Sequence, residues 1–478
     1  MRDLLLISDL HLGSHLKART RGEWVHLAAR VDESLPQFLD HYARDGTWQL
    51  VVNGDFIDFW NVEIGDPNGE PEAVAVERLH AVIDAYPGVE DALVSFLEAG
   101  NSIVFVAGNH DAEFLYGDVC RAFAERLEGA VTGGDQGLAG HSITATGVAT
   151  LDQVDAGKVR FVPWFVRDGG AWIEHGHVFD PACSTHAQLS PTRGGRLVKS
   201  VAEVATRRFT NRMPEMAYDA HEHFTAKDYV KWAMARGWLF MVRVLFFYLR
   251  MVGGMLALWA RGGRVDRAGR QAHEERLARV AKNAGLQISA LVALQNMVPP
   301  PTSASVGGVL SVTALDLILS ATVPIVLGPA LALAFGKSML AGLCVGAFVA
   351  GFMVLAVQRR RNPRNIAQDM LEVSSSVGEL TGTNVVLMGH SHHGSLERRG
   401  PVIYGNSGSW LDGSHLVVRR GAQGILDHVE LRRWRNGGVT VLETMSLDAS
   451  AGLEGEPCAR PGTTSAALLD PAAGAAAE

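Results

Sequence analysis

Cysteine is scarce: four residues in 478, at positions 120, 183, 344 and 458, none in Cys-x-x-Cys spacing. That pattern argues for neither a disulfide framework nor a thiolate metal site, and it is consistent with a reducing compartment. An excess of positive charge is also missing. The formal net charge is −8, and basic clusters are confined to one internal stretch, so a whole-molecule nucleic-acid binder is not expected. The first apolar run, Leu4-Leu5-Leu6-Ile7, is too short for a secretory leader and leads straight into polar residues, so the expectation is a cytoplasmic head.

What the chain does have is five short apolar runs that end in metal-ligand residue types. Leu4 to Ile7 is followed by Asp9 and His11. Leu50-Val51-Val52 is followed by Asn53-Gly54-Asp55, then Asp58. Ile103 to Val106 is followed by Gly108-Asn109-His110-Asp111, Ala171-Trp172-Ile173 by Glu174-His175-Gly176-His177, and Val385 to Met388 by Gly389-His390-Ser391-His392. Short apolar runs bounded by turn residues read as buried strands. In open α/β sheets ligands gather at the carboxyl ends of strands, so residues far apart in sequence can meet in one crevice. Singly, each block has a plainer reading: Asp-x-His can be a helix cap, and Gly-Asp-x-x-Asp an ordinary turn. Five such endings in one chain carry the inference. His177 reads equally as a substrate contact or a structural hydrogen-bonding group, and His221, His223 and His393 as solvated or supporting residues.

The residue types suit hydrolysis of a phosphoester. The ester's negative charge repels hydroxide, and two divalent cations about 4 Å apart can bind its oxygens and lower the pKa of a bridging water. A shared anionic ligand is then required, for which Asp55 is the best candidate. Imidazole and carboxylate donors suit Mn²⁺ first, and Fe²⁺ or Zn²⁺, better than Ca²⁺.

The series Asp9-x-His11, Gly54-Asp55-x-x-Asp58, Gly108-Asn109-His110-Asp111, His175-Gly176 and Gly389-His390-Ser391-His392 resembles the calcineurin-like metallophosphoesterase superfamily. The resemblance implies a four-layer α/β/β/α sandwich and two metals, one held by Asp9, His11, Asp55 and His392, the other by Asp55, Asn109, His175 and His390. It further implies that His110 stabilises the transition state or protonates the leaving oxygen, with Asp111 orienting its ring. Asp58 and His177 are supporting or substrate-contacting candidates. Within that superfamily, Ser8-Asp9-Leu10-His11-Leu12-Gly13 and His175-Gly176-His177-Val178-Phe179-Asp180 resemble the branch of UDP-2,3-diacylglucosamine pyrophosphatases, which often has arginine where this chain has His110. The resemblance covers residues 1 to about 180 and 383 to about 411, and it leaves open a different ester as substrate.

Between His175 and His390 lies an insertion, and the whole reads as a first core part at 1–180, a helical cap at 181–304, an apolar hairpin at 305–358, a second core part at 359–446 and a disordered tail at 447–478. The insertion begins with Arg193, Arg196, Lys199, Arg207, Arg208 and Arg212, ordinarily a solvated helix face. Trp238 to Trp259 is apolar apart from Arg243 and Arg250, which fits an amphipathic helix in a membrane interface or a buried cap helix. Val309 to Phe335 and Met339 to Val357 are long enough to cross a bilayer. The second carries Gly342-x-x-x-Gly346 and ends in Gln358-Arg359-Arg360-Arg361, as at a cytoplasmic boundary. The rival is a soluble helical hairpin in a cap or oligomer. After the last block, a β-meander from about 402 to 442 is expected to complete the second sheet. The leading expectation is a metallophosphoesterase at the cytoplasmic face of the inner membrane, acting on a phosphorylated, lipid-like substrate. An anchored enzyme of soluble substrates and a non-catalytic membrane scaffold are the alternatives.

Overall fold

The computed structural model describes residues 2–16, 23–44, 48–66, 68–132, 158–213, 226–261, 265–361 and 365–447. His221, His223, Cys458 and all but the first residue of the expected tail lie outside them. The fold is mixed α/β, with thirteen helices among the described residues and two main sheets. Strands β1 (Asp3–Ile7), β2 (Trp48–Asn53), β3 (Ser102–Val106) and β4 (Val159–Val162) run parallel to one another. Beyond β1 the same sheet continues antiparallel through β12 (Ser414–Arg420), β13 (Leu426–Arg435) and β14 (Gly438–Ser446). The second sheet has the order β10 (Ser395–Arg399), β11 (Val402–Asn406), β9 (Val385–Met388), β6 (Ala171–Glu174), β5 (Phe165–Asp168). The terminal meander is thus divided: β11 belongs to the second sheet, but β12 to β14 extend the first, because β12 finds its partner in β1 at the other end of the chain.

Alternation along the apolar central strands explains how the two sheets pack, since successive side chains point to opposite faces. Leu4 and Leu6, Val51, Val104 and Val106 from one sheet meet Ile173, Val385, Leu387 and Ile403 from the other in one apolar cluster. The intervening residues Leu5, Ile7, Leu50, Val52 and Phe105 face away, onto residues of the helices Glu23–Ala43, Pro71–Asp84, Pro87–Glu98 and Gly117–Thr132. On the far side of the second sheet, Trp172, Val386, Met388 and Tyr404 pack with residues of the helices Arg267–Asn283, Ile288–Met297 and Ile366–Thr381. Local signals start and stop these helices. Asn365 caps the last of them by accepting the N–H of Gln368, and Gly382 ends it at φ +66°, a left-handed position glycine takes without strain.

Three helices, Trp238–Ala260, Leu315–Ala334 and Met339–Arg360, are long and apolar enough to cross a membrane. The apolar run from Val309 is not one helix. It breaks after Val306–Val312 at Ala314, which is left-handed at φ +59°. Asp316 pairs with Arg361 across the base of the hairpin, and Arg361 also donates to the Ser311 carbonyl at 2.9 Å. The charge that interrupts the apolar run is therefore matched by the last arginine of the Arg359-Arg360-Arg361 cluster. Gly342 and Gly346 face the carbonyls of Gly328 and Pro324 so closely that a Cβ at either would overlap them, which is the close backbone approach small residues permit. The remaining apolar helix, Trp238–Ala260, packs Met255 against Val201 and Val204 and leaves Trp238, Leu239, Val242, Leu245, Phe246 and Leu249 exposed. Arg243 on this helix donates to the Arg212 carbonyl at 2.6 Å.

Candidate metal centre

The five strand endings come together, three from the first sheet (β1, β2, β3) and two from the second (β6, β9). Each of the two sheets thus supplies part of one crevice. Asp9, His11, Asp55, His390 and His392 all have positive φ, between +50° and +65°. Non-glycine residues seldom adopt this region, and such strain persists where the surroundings over-determine it, often at functional sites. The neighbouring glycines allow the closeness. A Cβ on Gly54 would overlap the His175 ring, and one on Gly108 would overlap the Asp55 carboxylate.

Of four groups that could hold a metal ion among the described residues, two consist wholly of expected ligands: Asp9, His11 and His392, and Asp55, His175 and His390; the others are His11, Asp58 and His110, and Asp180, Cys183 and His390. In the first, His392 Nε2 lies 3.1 Å from Asp9 Oδ1 and 3.2 Å from His11 Nε2. Apart from that approach of His392, buried Asp9 Oδ1 has no hydrogen-bond partner among the described residues, while Oδ2 accepts from the Ser8 hydroxyl and, at 3.1 Å, from the His390 N–H. In the second, the His175 Nδ1–H donates to the Asn53 carbonyl at 2.8 Å. Its Nε2 faces two further acceptors, Asn109 Oδ1 at 3.2 Å and Asp55 Oδ2 at 3.4 Å. Three lone-pair bearers aimed at one another in a buried place need a positive species between them, and orientation of a histidine through its other nitrogen is the usual support of a metal ligand. Asp55 Oδ2 is also 4.0 Å from His11 Nε2, so one carboxylate borders both groups. These donors fit metal ions. Asp55, Asp9 and His175 are 1%, 0% and 1% exposed.

The charges are mutually stabilised. Burial opposes ionisation of Asp9, but the adjacent His392 holds its carboxyl at about 2. Burial likewise opposes Asp55, which His175 and His110 keep well below the usual carboxylate range. His175 is disfavoured as a cation by burial, yet Asp55 raises it to about 9.

His110 lies beside this centre, its ring 4.5 Å from that of His11 and stacked on Trp60 at 3.8 Å. The group on its Nδ1 is Asp58, at 2.9 Å. Asp58 is itself fixed by the Ser14 hydroxyl at 3.0 Å and by the Asn61 amide. Asp111, expected to orient this ring, instead receives the backbone N–H of Gly108 at 2.6 Å and of Phe56 at 2.8 Å. Its carboxylate ties the loop after β3 to the loop after β2, and Asp58 has the orienting position. His177 is half-buried with its ring 5.4 Å from that of His175, and its Nδ1 has no hydrogen-bond partner among the described residues; His393 is exposed. Asp180, not foreseen as a site residue, lies 3.2 Å from His390 Nε2. Its position five residues after His175 is the one signal that pointed there. Trp60 was equally unforeseen, because nothing local marks a tryptophan as a ring-stacking partner.

No protein-family model matches the chain, and no curated protein sequence matches it.

Proposed function

We propose that this protein is a dinuclear metal-dependent phosphoesterase anchored to a membrane by its insertion. The observation that carries the reading is the placement of Asp55 between two clusters of carboxylates and imidazoles in one largely buried crevice. Asp9, His11, His392 and Asp55 would hold one ion, and Asp55, Asn109, His175 and His390 the other, with Mn²⁺ the best match and Fe²⁺ or Zn²⁺ close behind. Such ions neutralise the ester's charge and supply a nucleophile from water at neutral pH. The succession of helices, sheet, sheet and helices around three apolar clusters supports the four-layer α/β/β/α arrangement.

The chain's own groups do the rest. His110, though its cationic form is opposed by burial, is raised above the ordinary imidazole range by Asp58 and Asp55, so it carries the proton that a leaving oxygen needs. Asp58 fixes the tautomer with Nδ1 protonated, leaving Nε2 as the donating atom. Trp60 holds the ring plane by stacking. The Asn53 carbonyl keeps the proton of neutral His175 on Nδ1.

The three apolar helices support a substrate at or in a lipid surface, such as a nucleotide-linked diacyl sugar. A second reading, an anchored enzyme of soluble phosphoesters, is favoured by the small cavity described below. Mn²⁺-dependent hydrolysis of UDP-2,3-diacylglucosamine and of bis(p-nitrophenyl) phosphate by detergent-purified protein separates them, with Asp55→Ala as control. UMP release that Asp55→Ala abolishes supports the lipid reading, and cleavage of the chromogenic diester alone supports the other. A protein that binds far less than two ions and cleaves neither would be a scaffold, and the enzymatic reading would fail.

A further inference from the structure

A cavity of about 310 Å³ adjoins the metal centre, sharing Asn109, His177 and Trp60 with it. Its size is at the lower end for small-molecule sites. Its opposite parentage is informative: Arg78 comes from the helix Pro71–Asp84 of the core, whereas Arg196, Lys199 and Arg207 come from the start of the insertion. The basic stretch that reads as a solvated helix face thus turns three of its cations toward an internal space beside the candidate reaction centre.

The charges lining this space are not equally compensated. Lys199 and Arg207 both pair with Glu203, at 3.3 and 2.7 Å. Arg78 and Arg196 are held by neutral groups instead: Arg78 Nε donates to the Ile64 carbonyl at 2.9 Å, and Arg196 donates to the Gly69 carbonyl at 3.2 Å. Among the described residues no carboxylate is within 4 Å of either guanidinium. Of the other two acids on the wall, Asp66 accepts the Asn68 N–H at 2.9 Å, and Glu113 is pushed up to about 7 by burial. A guanidinium has five N–H donors in a planar fork that matches phosphate and carboxylate. One anchored edge leaves most of that fork for a ligand. Half-buried Arg78 is lowered by burial and by neighbouring Arg207, against the raising influence of Glu113, Glu203 and Glu77, and an anion at its open edge would add to that compensation.

We infer that this cavity binds a second anionic group of the substrate, a phosphate or phosphonate-like oxyanion separate from the ester cleaved at the metal centre, with Arg78 and Arg196 as its principal partners. The inference rests on the phosphoesterase reading and sharpens it. Substrates bearing a remote oxyanion are selected over neutral ones of the same length, and the insertion contributes specificity as well as anchoring. Trp60, Leu115 and Val198 on the same wall would contact the apolar part that joins the two charged ends.

The test is a matched series of p-nitrophenyl alkyl phosphodiesters whose alkyl tether, of graded length, ends in methyl or in phosphonate. With Mn²⁺-loaded full-length protein, at least one tether length should show kcat/KM at least about tenfold higher for the phosphonate member. Arg196→Gln, at an exposed position chosen to spare the fold, should reduce that preference by about fivefold or more through KM, and Arg78→Gln should do the same. Methylenebisphosphonate titrated calorimetrically into chelated, metal-free protein gives a readout independent of turnover: wild type binds, and both variants bind about tenfold more weakly. No preference at any tether, or a preference and titration unchanged in both variants, overturns the inference. If neither series member is cleaved but the titration discriminates wild type from Arg196→Gln, the anion site stands and the phosphoesterase reading falls.

Discussion

Replacing Asp58 by asparagine asks whether His110 delivers a proton to the leaving group. The carboxylate is 2% exposed and 2.9 Å from His110 Nδ1. Opposite unit charges about 4 Å apart attract by roughly 4 kcal/mol at an effective dielectric near 20. The amide keeps one acceptor oxygen, and the imidazole side chain is 18% exposed, so the expected loss is the smaller worth of a charge-assisted hydrogen bond, about 1.5–3 kcal/mol. That equals roughly one to two pKa units. Asp58 raises the imidazole's pKa, so its removal lowers it, and the acid form is lost at lower pH. The assay is kcat/KM against pH for two diesters, one releasing p-nitrophenolate and one releasing an alkoxide. The first leaves without a proton; the second cannot. Asp58→Asn should slow the alkyl ester about 10- to 100-fold, part of what a general acid contributes, and move its alkaline limb down by about one to two pH units. The p-nitrophenyl ester should slow by less than about threefold. Equal losses on both esters, at unchanged metal content and melting temperature, would refute the reasoning and place Asp58 outside proton delivery.

Two further outcomes follow from packing and burial. Gly346→Leu forces a side chain against the Pro324 carbonyl and should destabilise the hairpin by about 1–3 kcal/mol, read as a lower melting temperature in detergent and a smaller membrane fraction; an unchanged protein would show that the two helices do not pack through Gly346. His415 is buried against the Tyr42 hydroxyl at 3.0 Å and lowered by burial to about 3. In the unfolded chain it protonates near 6.5, so between those values unfolding takes up a proton and stability falls as pH falls. Lowering the pH from 6.5 to 5 should therefore cost about 2 kcal/mol through this residue, and the urea midpoint of His415→Gln should fall less over that window than that of wild type.

The residues that meet in the crevice were legible because strand ends are punctuated locally: an apolar run, one or more turn or polar residues, with a glycine before the donor in three of the five, then a potential donor. Which sheet each strand joins was not, since β12 pairs with β1 across more than 400 residues and only tertiary packing decides it. The same holds for side-chain partners. The family resemblance assigned the orienting role to Asp111, next to His110, whereas Asp58, 52 residues away, makes the 2.9 Å contact, because Asp111 accepts backbone amides instead. The break at Ala314 was hidden within an apolar run whose composition suits a continuous helix. The cations at Arg196, Lys199 and Arg207 were visible as a cluster, but the cavity they border exists only once the insertion returns against the core.

The position of the insertion between the fourth and fifth ligand blocks also orders events during synthesis. A chain emerging from its amino end presents Trp238–Ala260, Leu315–Ala334 and Met339–Arg360 before His390 and His392 have been made. β9, which joins the second sheet between β6 and β11 and leads directly into those two histidines, also follows the apolar helices. The nascent protein therefore seeks a place for its apolar helices while its candidate metal centre is unfinished, and a ribosome that stalls before residue 390 releases a product lacking two of the seven candidate metal ligands.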